Sequence, residues 1–167
     1  KAMQAAYKAG QVFIGKVTLP VIDVRHYLED DLDMHHVSAS FYSRLRIIEQ
    51  NGDSDNHVIW ISDKKYNPAV LAFKRMDEWL LTLRKDPSIS VAEAKPKSLS
   101  DQCFSANGEV LFQGKDIWDG NWNDKTEGAC QKIFPMYSTS RIQAGGTWSG
   151  DMFKSQLMSV NKAIKHG

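Results

Sequence analysis

VTLPVIDVRHYLEDDLDMHH, residues Val17 to His36, runs from a short apolar segment straight into a cluster of carboxylates and imidazoles. Val17, Leu19, Val21, Ile22 and Val24 are β-prone, with Pro20 near the start and charges at the end. A brief, nearly continuous apolar run of this kind reads as a buried strand of a parallel sheet rather than a helix. Glu29, Asp30, Asp31, Asp33, His35 and His36 follow it at once. In open α/β sheets the chemistry collects just beyond the carboxyl ends of the strands, so this loop is the first place to look for function.

Outward from that loop the periods alternate. Ser38 is placed to cap a helix through SASFYSRLRIIEQNG, with Phe41, Leu45 and Ile48 on one stripe and Arg44 and Arg46 off it. Asn51-Gly52 ends it, NGDSDN turns, and His57–Ser62 reads as a second buried strand. Asn67-Pro68 opens another helix to about Lys85, whose Phe73, Met76, Leu80 and Leu83 form an apolar face. Strand, helix, strand, helix within about 70 residues is a βαβα unit, which predicts parallel strands at 17–24 and 57–62 joined by the helix between them. Lys1 to Ala9 reads as an Ala-rich helix stopped by Gly10, and Phe153, Leu157, Val160 and Ile164 mark a closing helix.

Composition narrows the class. The 167 residues are 42% hydrophobic and 10% aromatic, enough for one packed domain. Twenty-one basic and 20 acidic residues leave a net charge of +1 without a block of either sign, so nothing favours nucleic acid. No apolar run approaches the ~20 residues of a spanning helix, and no membrane partner is expected. The opening KAMQAAYKAGQVF lacks both an initiator Met and an apolar signal region, so the chain is expected to start inside a longer polypeptide or on a processed product. From Asp86 to Ser140 the chain turns Pro-, Ser-, Gly- and Asn-rich without a clear period. Cys103 and Cys130 fall in that stretch: bonded, they would staple it and imply an oxidising compartment; free, they would fit the cytosol.

Three chemistries compete at the acidic loop. A divalent metal could use Asp30, Asp31, Asp33, His35 and His36, but the histidines are adjacent and no spaced second pair exists. A hydrolase could use Asp33, or alternatively Asp30, as the acid that orients His35 as the base. In α/β-hydrolases the nucleophile precedes a late acid and histidine, and no G-x-S-x-G occurs here. The third reading is a loop that bonds to itself and caps the Ser38 helix. Asp23 and Arg25 read as an ion pair within the strand. Gly145-Gly146 reads as a tight turn without a phosphate-loop lysine, so no cofactor is called for. Trp60 and Trp79 read as core, and Trp118, Trp122 and Trp148 as packing beneath a long loop, with a ligand cleft the sharper option.

PVIDVRHY, the D-x-H of Asp33 and His35 before SFYSRLRI, NHVIW, MDEWL, AKPKSLSDQC and the closing C-x-x-x-FP…SRIQAGG…GDMFKSQL occur in a specific order. From about Thr18 to Leu157 the chain resembles the C-terminal portion of a large secreted bacterial family known as a domain of unknown function with an α/β-hydrolase-like core. Trp148 after Thr147, where that family has Pro-Leu, and Ser155, where it has cysteine, depart from the pattern. The resemblance implies a Cys103–Cys130 bridge, a periplasmic or secreted setting and an esterase-like activity on a small-molecule ester. The expected fold is therefore α/β: a partial α/β-hydrolase-like parallel sheet over residues 1–85, with a disulfide-stapled, loop-rich extension over 86–167. His35 with Asp33 or Asp30 would complete a triad whose serine lies upstream in the same polypeptide or on a second processed chain. A non-catalytic binding or structural module is the alternative.

Overall fold

The computed structural model describes residues 1, 2, 5 and 13–149. The helices expected before Gly10 and around Phe153–Ile164 lie outside those residues, apart from isolated positions of the first.

Strand β1 (Val21–His26) leads through helix α1 (Ser38–Asn51) to β2 (His57–Ser62), and helix α2 (Ala69–Lys85) follows. Strands β3 (Gln102–Phe104) and β4 (Val110–Gln113) and the short helices α3 (Ala129–Ile133) and α4 (Ser140–Gln143) complete the order. The sheet runs β1-β2-β3-β4. β1 and β2 are parallel neighbours joined by α1, as the apolar runs predicted, and β3 is parallel to β2. β4 pairs antiparallel with β3, so the sheet is mixed rather than wholly parallel.

β2 is buried from end to end and divides the core by its period of two. Ile59 and Ile61 face Val37, just before α1, and Phe41 of α1, together with Trp118, Trp122, Phe134 and the two cysteines. Val58 and Trp60 face Ala72 and Trp79 of α2 with Leu99 and Phe104. Trp60, Trp79 and Trp118 are fully buried and Trp122 nearly so.

Five local expectations give way to tertiary context. Residues 17–20 precede the strand: Pro20 has no N–H to donate, and the Val17 and Leu19 carbonyls accept instead from the Asn51 and Asn56 side-chain amides. Ser38 is the first residue of α1 rather than its cap, and its side chain makes no capping bond to the helix. Arg44 lies on the buried stripe of α1 with Phe41 and Ile47, because Asp101 reaches it from the far side of the core. On α2 the buried residues are Ala72 and Trp79, with Leu71 and the expected Leu83 packed beside them, while Phe73 and Leu80 point outward at 79% and 46% exposure. Finally, the stretch from 86 to 140 carries two strands of the same sheet, each too short and too polar at its ends to announce itself.

Cys103 of β3 and Cys130 of α3 are bonded, with Cα atoms 5.9 Å apart and both residues buried. The bridge closes a loop across a sequence separation of 27. Replacing both cysteines with alanine is expected to lower unfolding free energy by about 3–4 kcal/mol in the chain-entropy account. Urea midpoints compared with the wild type would check this, and an unchanged midpoint would contradict it.

Candidate functional site

The chain leaves β1 through Tyr27, whose N–H still bonds the Ser62 carbonyl at 2.8 Å. The Tyr27 ring packs on Phe134 and its hydroxyl donates to the Pro135 carbonyl at 2.9 Å, tying the loop to the extension. Burial, then the nearby Asp30 and Glu29 carboxylates, push that phenol well above its ordinary range. Glu29 opens a single 3-10 turn, Glu29–Asp31, and folds inward. Its carboxylate accepts the Val37 N–H at 2.9 Å and the Leu28 N–H at 3.2 Å. A buried acid eight residues upstream thus caps α1, where Ser38 does not.

Burial raises the Glu29 pKa, against the lowering pull of the Val37 and Leu28 N–H groups. The folded chain therefore holds this proton more tightly than the unfolded chain. Its contribution to stability is complete below the ordinary glutamate value and is lost as pH rises through the raised one. Glu29→Gln keeps an acceptor for Val37 and removes the buried charge. Relative to the wild type, the variant should gain stability between weakly acidic and neutral pH. Parallel pH–stability curves for the two proteins would refute this.

Leu32, at φ 52°, turns the chain back, and the remaining polar groups face solvent. Asp30 accepts from the Tyr137 hydroxyl at 3.1 Å, and Asp31 takes both contacts from Lys64 Nζ at 3.0 and 2.9 Å. Asp33 Oδ1 accepts the backbone N–H of His35 and lies against its ring Nδ1, both at 2.8 Å. Those two bonds hold the Asp33 carboxyl below the usual range. The His35 side chain is 73% exposed. With Nδ1 directed at a carboxylate, Nε2 is the ring atom left to take a proton. The structure thus brings Asp33 and His35 together and sends Asp30 to a different partner. The same geometry satisfies a loop that bonds to itself. His36 turns away, to the Ser38 hydroxyl and the edge of Tyr42.

A second Ser/His pair lies inside the sheet. Ser62 Oγ stands 3.2 Å from His26 Nδ1, but Ser62 is fully buried and donates to the Tyr66 carbonyl at 2.7 Å. That pair braces the β1–β2 ends and offers no nucleophile to solvent. Asp23 and Arg25 form the expected in-strand ion pair at 3.3 Å. Burial pushes the Asp23 carboxyl up, yet His57, Arg25 and Ser40 together hold it below its ordinary value. Among the described residues no three His, Cys, Asp or Glu side chains are grouped to hold a metal ion. Sequence reading missed Lys64 and Tyr137 and grouped Glu29 with the other acids of the loop without its capping role, because their partners lie 33, 107 and 8 positions away.

Residues 1–167 match the model of a tannase-like family of unknown function. Neither curated proteins nor solved structures yield a match.

Proposed function

The chain belongs to this tannase-like family, and on that premise we propose that it supplies the acid and the base of an esterase-like serine hydrolase acting on a small-molecule ester. The carrying observation is the His35 imidazole, with Nδ1 against Asp33 and Nε2 open to solvent at the carboxyl end of β1. In a Ser-His-Asp arrangement the carboxylate fixes the tautomer and the free nitrogen takes the serine proton. The chain has no G-x-S-x-G, so the nucleophile and oxyanion hole would come from a segment outside residues 1–167, in the same polypeptide or on a processed partner.

β1 supports that division of labour. Val21 and Tyr27 donate toward β2, so by alternation the N–H groups of Ile22, Val24 and His26 point away from it. Among the described residues no strand pairs with that edge. Beside it, Ile22, Val24, Ala72, Phe73 and Met76 line a small apolar groove. An apolar parallel strand left open beside such a groove is suited to receive a further strand and its covering helix. The disulfide supports a periplasmic or secreted setting, and no described helix is long and apolar enough to cross a membrane.

Hydrolysis of a panel of p-nitrophenyl esters tests the proposal. A longer polypeptide that includes these residues should be active, and residues 1–167 alone should stay near the uncatalysed rate. Equal activity in both would place the nucleophile within this chain. A folded but inactive longer polypeptide would favour the binding-module reading, in which the Asp33–His35 bond only closes its own loop and the exposed face of α2 meets a partner.

A further inference from the structure

At the opposite end of the strands from His35, the amino ends of β2 and β3 open into a cleft of about 530 Å³. The second half of α1 forms one wall, and the 95–101 loop and the turns at 115–125 form the others. Leu45, Ile48, Leu99 and Trp122 are its apolar lining, spread over all three walls. Arg44, Lys95, Lys97, Lys115 and Lys125 are its cations, and Asp55, Asp101, Asp116 and Asp119 its anions.

The charges do not cancel by pairing. Arg44 is bound to Asp101, and Lys125 to Asp119 at 3.2 Å. Lys95, Lys97 and Lys115 form no ion pair among the described residues, against the two remaining carboxylates, Asp55 and Asp116. Lys95 Nζ spends one proton on the Asp55 carbonyl at 2.7 Å and lies 5.9 Å from the centre of the Trp79 ring. Burial makes its charge costly; the Asp55 and Asp101 carboxylates offset part of that cost, and Lys115 and Arg44 add to it. The Arg44 Nε–H and the His57 Nδ1 are buried at the same cleft without a partner among the described residues. Apolar lining residues together with a net surplus of one positive charge fit a ligand with a flat or branched hydrocarbon body and a single negative group.

We propose that this cleft binds a small monoanionic organic acid, an aromatic carboxylate in size and charge, with Lys95 and Lys115 meeting the carboxylate and Leu45, Ile48 and Trp122 the ring. The site is separate from the His35 loop and does not depend on the reading of that loop.

The test is a titration of the ¹⁵N-labelled chain with benzoate, with benzyl alcohol as the neutral ligand of similar shape, followed by amide and indole chemical shifts. Benzoate should move the Trp122 indole and the amides of residues 45–48 and 95–100 saturably. Benzyl alcohol should bind about tenfold more weakly, and Lys95→Gln with Lys115→Gln should weaken benzoate by about the same factor while the rest of the spectrum is unchanged. Equal affinity for the two probes, shifts that map elsewhere, or no saturation would overturn the proposal. If the double variant fails to fold, the benzoate-to-benzyl alcohol ratio on the wild type still decides it.

Discussion

Arg44→Ala is expected to lower unfolding free energy by about 3–5 kcal/mol, the usual cost of removing one partner from a buried ion pair. Arg44 Nη1 donates to Asp101 Oδ2 at 2.5 Å and Nη2 to Asp101 Oδ1 at 2.8 Å, with both side chains more than nine-tenths buried. Nη2 also donates to the His57 carbonyl at 2.9 Å, and Asp101 Oδ1 accepts the Ile59 N–H at 2.9 Å. One pair therefore locks α1 to the start of β2 and to the segment that enters β3. Without the guanidinium, Asp101 stays a buried charge with one backbone donor, and the His57 carbonyl loses its partner. Arg44→Lys retains the charge but cannot form the fork, so it should recover only part of the loss. Urea midpoints of the three proteins would show this ranking. Wild-type stability in Arg44→Ala would mean that the pair gives no net support to the fold.

How far the sequence can be read depends on the distance between partners. His57–Ser62 was legible because a strand buried on both faces needs no partner to reveal it; every residue is apolar or tucked under a neighbour. The Asp33–His35 contact was legible because it spans two residues. Periodicity shows that a face is apolar, not whether anything covers it, and Phe73 and Leu80 on α2 are the instance here. Arg44 looked like a solvent residue because its partner is 57 positions away. β3 and β4 were hidden because three and four residues carry too few alternations to register, and Gln102 and Gln113 pair through their side chains where apolar residues would be expected. The bridge between Cys103 and Cys130 was favoured by the polar, core-poor stretch between them, and the family resemblance strengthened that reading.

The second large effect concerns His35. Truncating an exposed group that passes protons during the reaction should cost rate without costing fold. Nδ1 of His35 is held by Asp33, and the ring makes no aromatic contact among those observed in the described residues. Truncating so exposed a side chain should change stability by roughly 1 kcal/mol or less. If His35 is the base of the proposed triad, which acts as a unit, its removal should cut turnover by about three to four orders of magnitude or more. Asp33→Asn should also be severely impaired, because it disturbs the tautomer, whereas Asp30→Asn should retain most activity, since Asp30 bonds Tyr137 instead. The deciding measurement is the turnover number of a longer polypeptide that includes these residues on its best p-nitrophenyl ester, wild type against His35→Ala, with thermal melts alongside. The account predicts a collapse of turnover with an unchanged melting curve. Equal turnover in two equally folded proteins would contradict it.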